Sequence, residues 1–146
     1  MIALGSDHGG FALKEEIREY LTGRGIEVRD FGCFHPEAVD YADIAYPLAK
    51  SVAAGKCEKG ILCCGTGIGI SIAANKVKGI RAACCSDCFS TKLTRQHNDA
   101  NVLCMGGRVV GAGLALMMAD LFLNTEFEGG RHQTRIDKIA AIENGQ

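Results

Sequence analysis

Six residues, Cys64-Gly65-Thr66-Gly67-Ile68-Gly69, carry glycine at every second position between an apolar run and a segment of helical spacing. Alternating glycines let successive backbone N–H groups turn inward as a nest, and a helix beginning there adds its positive end, so such a loop suits an anion. A tight strand-to-helix turn needs glycine even without a ligand. As a dinucleotide fingerprint the loop lacks the glycine required at Ile70, although Asp87 stands near the spacing of a ribose-binding acid. The P-loop pattern fails for want of its Gly-Lys-Ser/Thr ending. Cys64 borders both the nest and the helix start, a setting in which thiols serve as base or nucleophile; a buried core thiol is the competing reading. Cys85 and Cys88 match C-x-x-C spacing, but the chain has no second such pair for zinc and no tryptophan beside this one.

Three polar clusters lie elsewhere. Asp7 and His8 follow the first apolar run; Asp7 suits a helix cap, and an aspartate beside an imidazole also suits sugar hydroxyls. Gln96 to Asn101 precedes another apolar run and contains His97, whose residue type titrates near neutrality and fits acid-base work or an exposed loop equally. Arg131 and Arg135 stand four apart at the opening of the last helix, with His132 alongside. Cations there oppose the helix dipole, and a bound phosphate would resolve the conflict, whereas a solvated surface cluster needs no ligand.

These residues need a scaffold that brings them together. Ile2 to Leu4, Glu27 to Phe31, Ile61 to Cys64, Ile80 to Cys85 and Val102 to Met105 are short apolar runs that read as strands. Helical spacing fills the gaps: Phe11 to Leu21, with Lys14, Glu15, Arg18 and Glu19 between its apolar positions, then about Tyr41 to Ala54, Ile70 to Lys78, Phe89 to His97 and Gly111 to Leu123, and a last helix from near His132. Continuous apolar strands joined by helices predict a five-stranded parallel sheet covered on both faces, with ligands at the strands' carboxyl ends. Asp7-His8, Gly65-Thr66-Gly67, Ser86-Asp87 and Gly106-Gly107-Arg108 should then share one edge.

At 146 residues the chain has the size of a single domain, 1–146. Sixteen basic against seventeen acidic residues, net charge -1, remove the general attraction toward nucleic acid or anionic membranes. Eight cysteines are too sparse for a disulfide scaffold, and the pairs Cys63-Cys64 and Cys84-Cys85 read as buried thiols of a reducing compartment. The start lacks signal-peptide character, and Leu114 to Leu123, broken by Asp120, falls short of the roughly 20 residues of a span, so a cytoplasmic location is expected.

Together the motifs resemble the type B ribose-5-phosphate isomerase family, which also includes galactose-6-phosphate and allose-6-phosphate isomerases. The resemblance rests on Gly5-Ser6-Asp7-His8-Gly9-Gly10, on Cys64 to Gly69 continuing through Ser71-Ile72-Ala73-Ala74-Asn75-Lys76, on Arg95 to Leu103, on Gly106-Gly107-Arg108, and on Arg131 with Arg135. It implies a three-layer α/β/α Rossmann-like sandwich and cofactor-free, metal-free interconversion of D-ribose 5-phosphate and D-ribulose 5-phosphate through an enediolate. Carried over, Cys64 is the base between C2 and C1. Members that use a glutamate instead place it at the position of Ile70, so this chain falls in the cysteine subgroup. His97 opens the furanose ring, Asp7 and His8 contact ring oxygen and hydroxyls, and Thr66 relays a proton between O1 and O2. The backbone of Gly65, Thr66, Gly67, Ile68 and Gly69 holds the enediolate, while Asn98, Arg108, Arg131 and Arg135 bind substrate, the arginines chiefly at phosphate. The family's site is shared across a homodimer. A six-carbon phosphosugar isomerase and a noncatalytic phosphosugar-binding module are the rival readings.

Overall fold

Parallel pairing of five strands builds the sheet of the computed structural model, which describes residues 1–145. The strands are β1 (Ile2–Ser6), β2 (Val28–Asp30), β3 (Lys59–Cys64), β4 (Ala82–Cys84) and β5 (Val102–Gly106), ordered β2-β1-β3-β5-β4. Helices α1 (Phe11–Gly23), α2 (Tyr41–Ala53), α3 (Ile68–Ala74) and α4 (Cys88–Asn98) supply the four crossovers, and α5 (Ala112–Asn124) and α6 (Arg131–Glu143) follow β5.

Side-chain alternation along the central strands explains the three layers. Ile2, Leu4, Ile61, Cys63, Leu103 and Met105 face one way, onto Leu13, Ile17 and Leu21 of α1 and Met118 and Phe122 of α5. Ala3, Leu62, Cys64, Val102 and Cys104 face the other way, onto Ile44, Leu48 and Val52 of α2 and Ile70 and Ala74 of α3. Both faces are covered, as continuous apolar strands require.

Several details depart from the sequence reading. The run from Ile80 to Cys85 shortens to β4 and lies at an edge, where Cys84 is exposed rather than buried. Apolar runs signal burial but not position across the sheet. All eight cysteines are free. Helix α3 starts at Ile68 and stops at Ala74, because Asn75 turns away to bond the backbone N–H and carbonyl of Ala82. Lys14, three residues before Ile17 and seven before Leu21 on the apolar face of α1, is fully buried despite its charge: its Nζ donates to Asp30 at 2.9 and 3.1 Å and to the Cys33 carbonyl at 2.6 Å. Among the described residues no helix is long and apolar enough to cross a membrane.

Two consequences position the site. The chain leaves β1 toward β2 on one side and leaves β3 toward β4 on the other, so a crevice opens between the loops after β1 and β3. Helix α4 runs back from the carboxyl end of β4 to the amino end of β5, and its 11 residues rise about 16 Å.

Candidate active site

At the carboxyl edge, three loops pack backbone against backbone, which only glycine allows. A Cβ on Gly9 would stand 3.0 Å from the Gly65 nitrogen, one on Gly106 2.7 Å from the Thr66 backbone, and one on Gly107 2.6 Å from the Gly9 carbonyl oxygen. The Gly107 N–H donates to the Cys64 carbonyl and the Arg108 N–H to that of Gly65. Asp7, His8, Cys64, Gly65, Thr66, Gly67, Ile68, Gly69 and Arg108 therefore share one edge, as the strand-end rule requires.

Within this edge Cys64 is the buried nucleophile candidate. Gly67 takes the left-handed conformation, φ +82°, and turns its N–H onto Cys64 Sγ at 3.1 Å. The Ile68 N–H is held by Thr66 Oγ1 at 3.1 Å. The nest thus already directs one donor at the sulfur and one at the threonine, while Thr66 and Ile68 themselves are exposed. Ile70, where a glutamate would stand, is buried in the apolar layer. Asp7 is buried and its Oδ1 caps the following turn through the Gly10 N–H at 3.1 Å, so its capping reading holds. His8 is exposed, and its Nδ1 accepts the Val39 N–H at 3.2 Å, which leaves Nε2 facing away from that bond. The Arg108 guanidinium lies over Gly65. Tyr41 packs its ring against Gly69, a wall residue that no sequence motif marked.

The remaining predicted residues are elsewhere. His97 and Asn98 end α4 at the amino edge, and Arg131 and Arg135 open α6 beside them, so one chain does not bring them to Cys64. The reason is α4's direction: residues just before a parallel strand sit at the opposite end from residues just after one. Asn98 is exposed and accepts from Thr94 Oγ1 at 3.0 Å. It lines a cavity of about 510 Å³ with Ile80, Ile139 and Ile142, a lining that includes neither Cys64 nor the nest. Arg131 and Arg135 are exposed, but His132 turns inward, 4% exposed, and stacks on His97 with centroids 4.2 Å apart. Burial first, then the charge of His97, pulls the His132 imidazole below its usual range. Glu128, within reach of both rings, was invisible in sequence because its stretch has no periodicity or motif. Among the described residues no carboxylate pairs with Arg108, Arg131 or Arg135. These three cations are available to an anion.

The thiols differ by burial. Burial pushes Cys63 up to about 12 and Cys104 well above the thiol range, so neither supplies thiolate at neutral pH. Asp87 caps α4 through the Ser90 N–H at 2.6 Å, which accounts for it without a ribose.

Comparison with known proteins identifies the family. Residues 2–139 match the family model described as Ribose/Galactose Isomerase. Ribose-5-phosphate isomerase B of Escherichia coli (strain K12) is 55% identical over 142 residues, covering 97% of this chain and 95% of that protein. The structure of ribose-5-phosphate isomerase B from Clostridium thermocellum is 55% identical, with a TM-score of 0.97 over 98% of this chain and 97% of that one. The crystal structure of the Mycoplasma genitalium enzyme of that name, with bound ribulose-5-phosphate, is 44% identical and has a TM-score of 0.95, covering 99% and 97%. The chain belongs to the ribose/galactose isomerase family.

Proposed function

We propose that this chain interconverts D-ribose 5-phosphate and D-ribulose 5-phosphate, as one domain of residues 1–146 acting in a homodimer. The observation that carries the reading is the division of the site. A base, an oxyanion nest and Arg108 stand at one edge, whereas the histidine and two arginines needed to complete them stand at the other. A second copy of the chain, turned by a two-fold axis, completes both sites at once.

The chemistry follows from the groups. His97 of one subunit gives a proton to the ring oxygen as its bond to C1 breaks, and the anomeric hydroxyl releases its proton to solvent, leaving the open-chain aldehyde. Cys64 of the other subunit, as thiolate, removes the C2 proton; the electron pair moves into the C1–C2 bond and the carbonyl oxygen becomes the enediolate oxyanion. Thr66 passes a proton between O2 and O1, and Cys64 returns its proton to C1, giving the ketose. The Gly65 to Gly69 backbone stabilises the oxyanion, a device worth about 3 kcal/mol. Asp7 and His8 orient hydroxyls, Asn98 binds substrate, and Arg108, Arg131 and Arg135 hold the phosphate, whose binding energy orients C1 and C2. The free thiols and the lack of net positive charge support work in the cytoplasm on a small phosphosugar rather than on nucleic acid.

Complementation tests the division. Cys64→Ala and Arg135→Ala are each expected to be inactive alone; when co-refolded, half the dimers should be mixed with one intact site each, so that about a quarter of wild-type activity returns. Mixed dimers seen by native mass spectrometry without recovered activity refute the shared site. Exchange of the C2 proton with solvent separates an isomerase from a binding module, and relative kcat/KM across ribose, allose and galactose phosphates identifies the sugar.

A further inference from the structure

The segment between α5 and α6 returns to the end of α4, where the Glu128 N–H donates to the Gln96 carbonyl at 3.1 Å. This places the Glu128 carboxylate against two imidazoles. Its Oε1 lies 3.4 Å from Nε2 of His132 and 3.8 Å from Nε2 of His97. One donor atom from each of the three residues falls within 4.8 Å of the others. His132 is 4% exposed, yet among the described residues its Nε2 has no hydrogen-bond partner. A buried nitrogen left unpaired is costly, and such groups are kept where an ion or chemistry meets them.

The donor set and spacing suit a particular class of ion. A tetrahedral ion about 2.0–2.1 Å from nitrogen and oxygen ligands separates those ligands by about 3.3 Å. The pair at 3.4 Å already meets this, and the pair at 3.8 Å needs a shift of a few tenths. The rings now lie within 11° of parallel, so one must tilt for both lone pairs to meet a single ion. His97 sits in the last turn of α4, with 38% of its side chain exposed in the single chain. Two imidazoles and one carboxylate with an open fourth position are a zinc-type ligand set, whereas magnesium and calcium want oxygen throughout.

We propose that His97, Glu128 and His132 form a binding site for a divalent transition-metal ion of the zinc class, and that occupancy inhibits the isomerase by capturing the His97 nitrogen. The inhibitory half rests on the assignment of His97 to ring opening; binding of the ion does not.

The test uses the full chain freed of metal by chelation. Zn2+ is titrated by calorimetry and Co2+ by absorption, beside Glu128→Gln and His132→Asn. One ion per chain is expected, with visible bands of tetrahedral Co2+ and no thiolate charge-transfer band. Glu128→Gln weakens binding by at least about tenfold and, relative to its own metal-free rate, raises the Zn2+ needed for half-inhibition by the same factor. Should His132→Asn fail to fold, the half-exposed Glu128 position still decides the matter. A thiolate band, or binding unchanged in Glu128→Gln, overturns the site. Binding that requires Glu128 but leaves turnover untouched overturns the inhibitory half. Loss of the ring-opening assignment has its own signature, since His97→Asn would then slow ribose 5-phosphate and open-chain ribulose 5-phosphate equally, whatever the metal does.

Discussion

Replacing Lys14 with methionine keeps the length of the side chain and removes its charge from the interior. In the native protein Nζ meets the Asp30 carboxylate, the Cys33 carbonyl and, at 3.4 Å, Glu15, while Phe11 and Phe34 flank it. Methionine leaves the Cys33 carbonyl without that donor, about 1–3 kcal/mol, and deprives Asp30 of its counter-charge. Breaking a fully buried pair costs about 3–5 kcal/mol. Asp30 keeps 19% of its side chain exposed and still accepts the Gly32 N–H at 2.8 Å, so its share is smaller. Added apolar burial offsets about 1 kcal/mol, leaving a net loss near 3 kcal/mol. With a urea slope of about 2 kcal/mol per molar, the midpoint falls by about 1.5 M. Variants must be compared at one protein concentration, because association stabilises the folded chain. Lys14→Met/Asp30→Asn should regain part of the loss by removing the stranded carboxylate. The same contact anchors the loop that carries Val39 onto His8, so KM for ribose 5-phosphate rises more than kcat falls. A midpoint shift under about 0.5 M, or a double variant weaker than the single one, refutes this account of the buried lysine.

Cys64→Ala should leave less than about a tenth of kcat while substrate affinity stays within a few-fold, because a base acts in the transition state; retained turnover removes it from the scheme. Gly67→Ala forces a side chain into φ +82° and 2.7 Å from the Met105 backbone, so a loss of about 2–4 kcal/mol by urea denaturation is expected. Gly113→Ala, in α5 with open space around it, should instead stabilise by about 0.5–1 kcal/mol. Because burial raises Cys63 to about 12, it stays a thiol from pH 7 to about pH 10 and gains reactivity only near pH 12 or on unfolding. Peptide mapping after iodoacetamide at pH 9 should find the exposed Cys84 labelled and Cys63 and Cys104 untouched in the native protein.

The sheet, its crossovers and the nest were legible in the sequence because each is a local pattern: continuous apolar runs, helical spacing, and glycine at alternate positions. The resemblance, carried by motifs in a set order, named the site residues as a set without regard to where one chain holds them. What no local pattern contains is the pairing of distant segments. Strand order made β4 an edge and exposed Cys84, though its residues read as core. Lys14 shares the apolar face of Ile17 and Leu21, but what satisfies its charge there, Asp30 and the Cys33 carbonyl, is reached only after β2 is in place. Glu128 joins His97 and His132 only because the chain after α5 folds back on α4. Above all, the direction of α4 divides the predicted site between two edges, since a helix linking parallel strands must run against them and carry its last residues about 16 Å from its first.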